Sequence, residues 1–337
     1  MDKENTILFL GDVVPFKPVR FRNTYSTVAN LECPLTKEVD PAKGKIILNV
    51  TKNYLYNIFG NNLLCVSLGN NHILDYGTKG LNSTLAELTS MKVQWFGLSH
   101  PINGELNPLI IDFHKKKIAF ISVVCPSTSP LISLDGVSYL NLLNPEEIKV
   151  EVVKLRKMAQ RIILYIHWGM EESSYPSRRD LITARELIEA GIDIIIGTHA
   201  HVPQAVERYK NGIIAYNLGN FIMPSLEKIP SYFDESGTPL SVYNKRLMTW
   251  NRISWGLAID MNKMEYQVKR YIFLFNQIIQ LPFTHIDKYI KLTMDPSYEG
   301  YDEKIAGHLK KRALVRRIID FLSAPHIPKK IKLLLWK

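Results

Sequence analysis

The sequence predicts an α/β fold, and three observations predict it. Short apolar runs rich in β-branched residues alternate with amphipathic stretches, several of the runs stop at Gly, Asn, His or Asp, and the composition is that of a folded globular chain. Of 337 residues, 46% are hydrophobic and 22% are charged, which excludes wholesale disorder and low-complexity architectures. No apolar run approaches the ~20 residues of a membrane-spanning helix. The opening Met1-Asp2-Lys3-Glu4-Asn5 lacks the basic and apolar regions of a signal peptide, so the expectation is a cytoplasmic protein. Cys33, Cys65 and Cys125 are odd in number and far apart, and they read as buried free thiols rather than a disulfide framework or zinc site.

In chain order, the strand candidates are 6–10, 27–31, 63–68, 117–124, 161–166, 192–196 and 212–216, each dominated by Ile, Val, Leu, Thr, Phe or Tyr. Helical spacing runs over 79–91, 145–160 and 178–190, the last stopped by Gly191 and carrying a stripe of Leu181, Ala184, Leu187 and Ile188. Residues 222–251 have little periodicity and hold Pro224, Pro230 and Pro239 among aromatics. They read as a long excursion forming a lid or substrate wall. Two strands, 252–260 and 265–275, follow around a turn at Met261-Asn262-Lys263 and are expected to extend a sheet. An amphipathic helix over 303–322 ends before Pro325 and Pro328, with a short run 329–337 after it. The resulting division is a main domain, 1–280, and a C-terminal extension, 281–337.

The net charge of +10 is concentrated in that extension, because 310–337 holds nine Lys/Arg and the single acid Asp320. The main domain is nearly balanced, so a nucleic-acid surface is not expected. On the helix, Ile305, Leu309, Ala313, Ile319 and Leu322 can pack while Lys311, Arg312, Arg316 and Arg317 stay in water. Either this is a solvated outer face, or the basic helix and the segment ending in Trp336-Lys337 meet an anionic membrane surface, peripheral on the inner face of the cell membrane.

Four of the nine histidines, His72, His167, His199 and His201, stand at strand ends inside short polar clusters: LGNNH, IHWG and GTHAH. FLGD and NLE supply Asp12 and Glu32 at two earlier strand ends. Strand-end loops on one edge of an α/β sheet converge, so these groups can meet. Imidazole and carboxylate without thiolate suit one or two divalent ions, Mn, Fe or Zn, which can activate a water and neutralise a phosphoryl oxygen. Arg178 and Arg179 follow His-Trp-Gly and either fork onto a phosphate or carboxylate, or sit solvated on a helix that Ser177 caps. Trp168 reads as packing against the sheet. His100, His114, His285, His308 and His326 fit no ligand pattern.

Taken together, Gly-Asp, Asn-Leu-Glu, Asn-Asn-His-x-x-Asp-x-Gly (70–77), His-Trp-Gly, Gly-x-His-x-His and Tyr-Asn-Leu-Gly-Asn-Phe (216–221) resemble the CapA family of capsule and poly-γ-glutamate synthesis proteins, within the calcineurin-like metallophosphoesterase superfamily. The resemblance covers roughly residues 8–221. It implies a four-layer αββα sandwich with the metals at strand ends. It also implies that Asp12 and His201 hold one metal, that Asn71, His167 and His199 hold the other, and that Glu32 bridges them. His72 would stay unligated as general acid or transition-state donor, oriented by Asp75. Asn217 and Asn220 would contact substrate, or else cap a tight Leu-Gly turn. Where the wider superfamily has a further histidine, two after Asp12, this chain has Val14, so the first metal is held by fewer protein groups. The expected function is that of a metal-dependent phosphoesterase-type hydrolase in bacterial capsule or surface-polymer synthesis, acting on an acidic or phosphorylated small-molecule or polymer-linked substrate. The alternative is a non-catalytic, membrane-associated scaffold or polymer-binding component of a capsule or poly-γ-glutamate assembly complex.

Overall fold

The computed structural model describes residues 2–42, 45–100, 104–128, 130, 133–134, 137–233, 238–282 and 300–323. The chain divides into two units, Met1–Met294 and Asp295–Lys337.

The first unit is built from strands β1 (Thr6–Val13), β2 (Ser26–Leu31), β3 (Leu63–Ser67), β4 (Gln94–Phe96), β5 (Leu109–Phe113), β6 (Lys116–Val124), β7 (Ser133–Leu134), β8 (Val137–Ser138) and β9 (Arg161–Trp168). They continue with β10 (Ile194–His199), β11 (Val206–Tyr209), β12 (Gly212–Ala215), β13 (Asn220–Ile222), β14 (Leu226–Phe233), β15 (Pro239–Lys245), β16 (Ile253–Asp260), β17 (Tyr266–Leu274) and β18 (Gln277–Leu281). Its helices are α1 (Leu55–Phe59), α2 (Gly77–Ser90), α3 (Pro145–Leu155), α4 (Arg178–Glu189) and α5 (Thr249–Arg252).

Two sheets form, in the orders β18-β17-β16-β1-β2-β3-β4, with β13 also on β1, and β11-β12-β10-β9-β6-β5. The centres of both are parallel, β1-β2-β3-β4 in one and β6-β9-β10-β12 in the other, with antiparallel strands at their flanks. Alternation along each strand sorts the side chains into layers. In β1, Ile7 and Phe9 join Phe120, Ile163, Tyr165 and Ile196 in the core between the sheets, whereas Leu8 and Leu10 pack with Leu55, Ile58, Leu81 and Leu88 on the helical side. On the second sheet's other side, α3 buries Ile148, Val152 and Leu155, and α4 buries Leu181, Ala184, Leu187 and Ile188. This is the four-layer αββα sandwich expected.

The structure corrects several boundaries. Helix 145–160 stops at Leu155, where Lys157 and Met158 bond back only three residues, to Lys154 and Leu155, and the Gln160 N–H reaches Lys117 O at 2.9 Å. The excursion 222–251 is not irregular: β14 and β15 pair as an antiparallel ribbon, with Pro230 and Pro239 within it. A lone two-stranded ribbon can hold proline where a central strand cannot. The strands 252–260 and 265–275 do extend the first sheet, and β18 adds another. All three cysteines are free and buried. Trp168 is buried, donating to Tyr216 O at 3.0 Å.

The second unit contains α6 (Tyr301–Ser323), which starts and ends within two residues of the expected helix. Tyr301 and Ile305 are buried and Leu309 and Ile319 half-buried, but Ala313 is exposed, a departure from the expected packing stripe. Residues 324–337, with the run 329–337 and Trp336, lie outside the described residues. No helix among the described residues is long and apolar enough to cross a membrane.

Candidate metal centre

The carboxyl ends of β1, β2, β3, β9 and β10 deliver the chemistry. Near Asp12 the register of β1 shifts against both β2 and β13, which re-aims the strand's last turn. Only glycine fits at position 11, where a Cβ would lie 2.0 Å from Gly219 O. Asp12 Oδ1 accepts from Asn30 Nδ2 at 2.9 Å and Oδ2 accepts from the His199 backbone N–H at 3.2 Å. Asn70 Nδ2 donates to Asn30 Oδ1 at 3.1 Å, and Asn70 Oδ1 accepts from the His72 backbone N–H at 3.0 Å. One amide chain thus joins the ends of three strands.

Two clusters share one carboxylate. Glu32, His167 and His199 form the first, and Asp12, Glu32 and His201 the second, the ligand atoms of each lying within 4.8 Å of one another. Glu32 Oε1 lies 3.7 Å from His167 Nε2, and Oε2 lies 3.8 Å from His201 Nδ1. His201 Nδ1 is 3.6 Å from Asp12 Oδ2. Asn71 Oδ1 sits 2.8 Å from His167 Nε2, while the other ring nitrogen, Nδ1, contacts Thr198 Oγ1 at 2.9 Å. The hydroxyl there, which can donate or accept, holds the ring's orientation in either tautomer. His199 and His201 have φ of 90° and 58°, in the left-handed region that non-glycine residues avoid, so local strain is stored where the imidazoles converge.

The electrostatics are those of a site short of positive charge. Burial pushes the Asp12 carboxyl up to about 7 and, with the Asp12 charge beside it, holds Glu32 well above the usual carboxylate range. Burial also lowers His199 to about 4 and His201 to about 3, and holds His167 well below its ordinary value. The imidazoles are therefore neutral and ligand-ready at neutral pH. Both Glu32 oxygens are fully buried and unpartnered, among side chains that are the usual ligands of Mn, Fe and Zn. A divalent cation fits this donor set.

His72 lies beside the clusters. Its Nδ1 is 2.7 Å from Asp75 Oδ2, which also accepts from the Leu48 N–H at 2.6 Å, and Asp75 Oδ1 meets Lys45 Nζ at 2.5 Å. Lys45 Nζ donates to the Asn71 carbonyl too. Lys45 carried no sequence signal, because it stands in an irregular loop far from the strand-end motifs. Glu171 and Lys245 form another pair that the sequence did not reveal. Burial raises the Glu171 carboxyl, but Lys245 against it brings it below the usual range.

A pocket of about 650 Å³ opens over the centre, lined by Asn71, His72, His199, His201, Asn220 and Arg179 among others. Asn220 Oδ1 is 2.8 Å from His201 Nδ1. Asn217 is fully buried and is not among the pocket-lining residues, and its Oδ1 accepts from the Gly219 N–H at 3.0 Å, the turn cap that was the alternative to a substrate contact. Ser177 caps α4 in a reciprocal box with Asp180. Of the two arginines on that first turn, Arg179 reaches the pocket and Arg178 does not. Val14 is buried in the core and offers no ligand two residues after Asp12.

The family model for "Bacterial capsule synthesis protein PGA_cap" matches residues 11–225. The chain is 28% identical over 214 residues to the PGA biosynthesis protein CapA of Bacillus subtilis, covering 60% of this chain and 54% of that one. It is 29% identical over 161 residues to the capsule biosynthesis protein CapA of Bacillus anthracis, covering 47% and 39%. The matches thus span about half or less of those relatives' length. Among solved structures, a 5'-nucleotidase precursor from Thermus thermophilus is similar at a TM-score of 0.40 and 14% identity, over 80% of this chain and 54% of that one. A calcineurin-like phosphoesterase from Bacillus subtilis is similar at 0.31 and 16%, over 65% and 61%. The family match takes in every residue of the two clusters, and the chain belongs to the bacterial capsule synthesis protein PGA_cap family.

Proposed function

We propose that the protein is a metal-dependent hydrolase of phosphoesters or related acidic intermediates in the synthesis of a bacterial capsule or other surface polymer. The observation that carries this reading is Glu32, a buried carboxylate with both oxygens unpartnered, shared by two clusters of neutral histidine and carboxylate. Asp12 and His201 would hold one ion, Asn71, His167 and His199 the other, with Glu32 between them. Divalent ions bound there would neutralise a phosphoryl oxygen and acidify a water.

The chain's own residues supply the rest. His72 donates its Nδ1–H to Asp75; as the imidazolium it gives the Nε2 proton to the leaving oxygen and recovers one from the attacking water. Lys45 and the Leu48 N–H fix the Asp75 carboxylate, so the imidazole keeps one orientation. Arg179 and Asn220, at the pocket wall, contact an acidic substrate, a small molecule or one linked to a polymer. The basic α6 is proposed to meet an anionic membrane surface; no nucleic acid is part of the reading.

Val14 favours a second reading, because it leaves the Asp12 side with fewer ligands. In that reading the protein keeps the fold and one firm metal and organises polymer assembly without catalysis. Metal analysis by mass spectrometry, with turnover of simple phosphomonoesters and phosphodiesters under added Mn²⁺, separates the two. The hydrolase reading expects metal lost in His199→Ala/His201→Ala, and metal kept but turnover lost in His72→Ala. Metal bound without turnover of either ester class would overturn it in favour of the scaffold.

A further inference from the structure

The pocket over the centre is not uniformly polar. Beside the histidines it is lined by Leu48, Met170, Met223, Pro224, Leu226 and Leu247, which come from the loop before α1, the turn after β9, and both feet of the β14–β15 ribbon. Leu48, Met223 and Leu247 belong to the core cluster behind the first sheet and Leu226 packs on it, so the wall is held in place rather than loosely attached. Two of the pocket's three cations are already neutralised, Lys45 by Asp75 and Lys245 by Glu171. Among the described residues Arg179 has no ion-pair partner, and it is exposed at the rim. Leu48, Met223 and Leu247 back this wall, and a small, wholly polar anion would use the centre and leave Met170, Pro224 and Leu226 in contact with water.

We propose that the site takes an amphipathic phosphoester, whose phosphoryl group lies toward the Glu32 clusters and Arg179 and whose leaving group carries an apolar body that covers Met170, Pro224 and Leu226, the accessible part of the apolar wall. This rests on the hydrolase reading and names the substrate class for it. The reaction breaks the bond between phosphorus and the leaving oxygen. Water's oxygen goes to phosphorus, one of its protons ends on the released apolar alcohol, and no oxidant or co-reactant is needed. Two features of one pocket point to this occupant: an arginine rim over a floor that would take an anion once divalent ions are bound, and an apolar wall within reach of the same ligand. Transfer of a methylene from water to such a wall favours binding about fourfold.

The test uses the full chain with Mn²⁺ and non-hydrolysable methyl-, butyl- and octylphosphonate, with affinity read by calorimetry. Affinity is expected to rise at least tenfold from methyl to octyl, and octyltrimethylammonium, with the same chain and opposite charge, is expected not to bind. Met170→Gln, at a half-exposed turn position, and Leu226→Asn should each flatten the chain-length dependence while leaving methylphosphonate affinity unchanged. Arg179→Gln should weaken all lengths alike. Affinity independent of chain length, or equal binding of the cationic amphiphile, would overturn the proposal whether or not esters are hydrolysed. An intact chain-length dependence without turnover of any ester overturns the hydrolase reading and leaves the apolar subsite standing.

Discussion

A buried carboxylate is destabilising unless it is protonated or meets a cation, and the centre holds two: Glu32, with neither oxygen hydrogen-bonded, and Asp12, hydrogen-bonded to Asn30 and the His199 N–H. Asp12 is raised from 3.8 to about 7 by burial. A raised carboxylate contributes stability below its unfolded value and loses it as the pH climbs through its folded value. Metal-free protein should therefore lose stability between about pH 4 and 7 at this residue, at about 1 kcal/mol per pH unit. The lowered histidines work in the opposite sense, losing stability as the pH falls from 6.5 toward 3 to 4. The histidines are present in wild type and in Asp12→Asn alike, so the comparison reads Asp12 together with the Glu32 carboxyl that its charge raises. Urea unfolding in chelator should show Asp12→Asn gaining on wild type as the pH is raised from 5 to 7.5; a constant difference would deny the carboxyl its shift. The strain at His199 gives a second expectation. With φ at 90°, a glycine fits the backbone better than alanine, so metal-free His199→Gly should be about 1 kcal/mol more stable than His199→Ala. Both should fail to hold metal on the His167 side.

One glycine decides how β10 meets the segment after β12. A Cβ on Gly197 would lie 1.8 Å from Tyr216 O, a backbone atom that cannot swing away, and Gly197 precedes His199 by two residues on the same strand. Gly197→Ala should therefore cost roughly 3 kcal/mol or more and weaken metal binding with it, because β10 must move from the segment after β12. Ser177→Ala is the contrasting case: it removes the α4 cap, costs about 1 kcal/mol, and should leave metal content unchanged. Thermal unfolding paired with metal analysis distinguishes the two kinds of damage. These contacts also explain what could be read beforehand. The core strands announced themselves by β-branched runs, and the ligand-bearing residues by polar clusters at their ends. The extension of β1 to Val13 was hidden, because Asp12 and Val13 pair after a register shift with β2 on one side and with Asn220–Ile222, some two hundred residues away, on the other. Short edge strands such as Gln94–Phe96 carry too few residues for a period to emerge, and the prolines of the ribbon masked its pairing. Lys45 was invisible for a related reason: its role comes from tertiary contact with Asp75 and Asn71, and nothing in its own loop encodes it.

At the scale of the whole chain, charge and chemistry are separated. Every residue of the two clusters lies in the first unit, while nine of the 42 Lys/Arg fall within 310–337. On α6 the apolar Leu314 and Ile318 are 59% and 48% exposed, one turn apart, and the exposed Lys310, Lys311 and Arg317 stand at helical spacings around them. A water-facing helix gains nothing from such a stripe, whereas an interfacial one buries it beneath its own cations. Each lysine or arginine near an anionic bilayer contributes about 1 kcal/mol, so Lys310→Gln/Lys311→Gln/Arg317→Gln should lower partitioning onto phosphatidylserine-containing vesicles by about 100-fold. Raising the salt should weaken the wild type in the same direction, because the attraction decays within a Debye length. Metal content and phosphonate affinity should not change, since none of the three residues belongs to the two clusters or lines the pocket. Cosedimentation with neutral and anionic vesicles reads the effect directly. Equal partitioning of wild type and triple variant onto anionic vesicles would return α6 to the role of a solvated outer face.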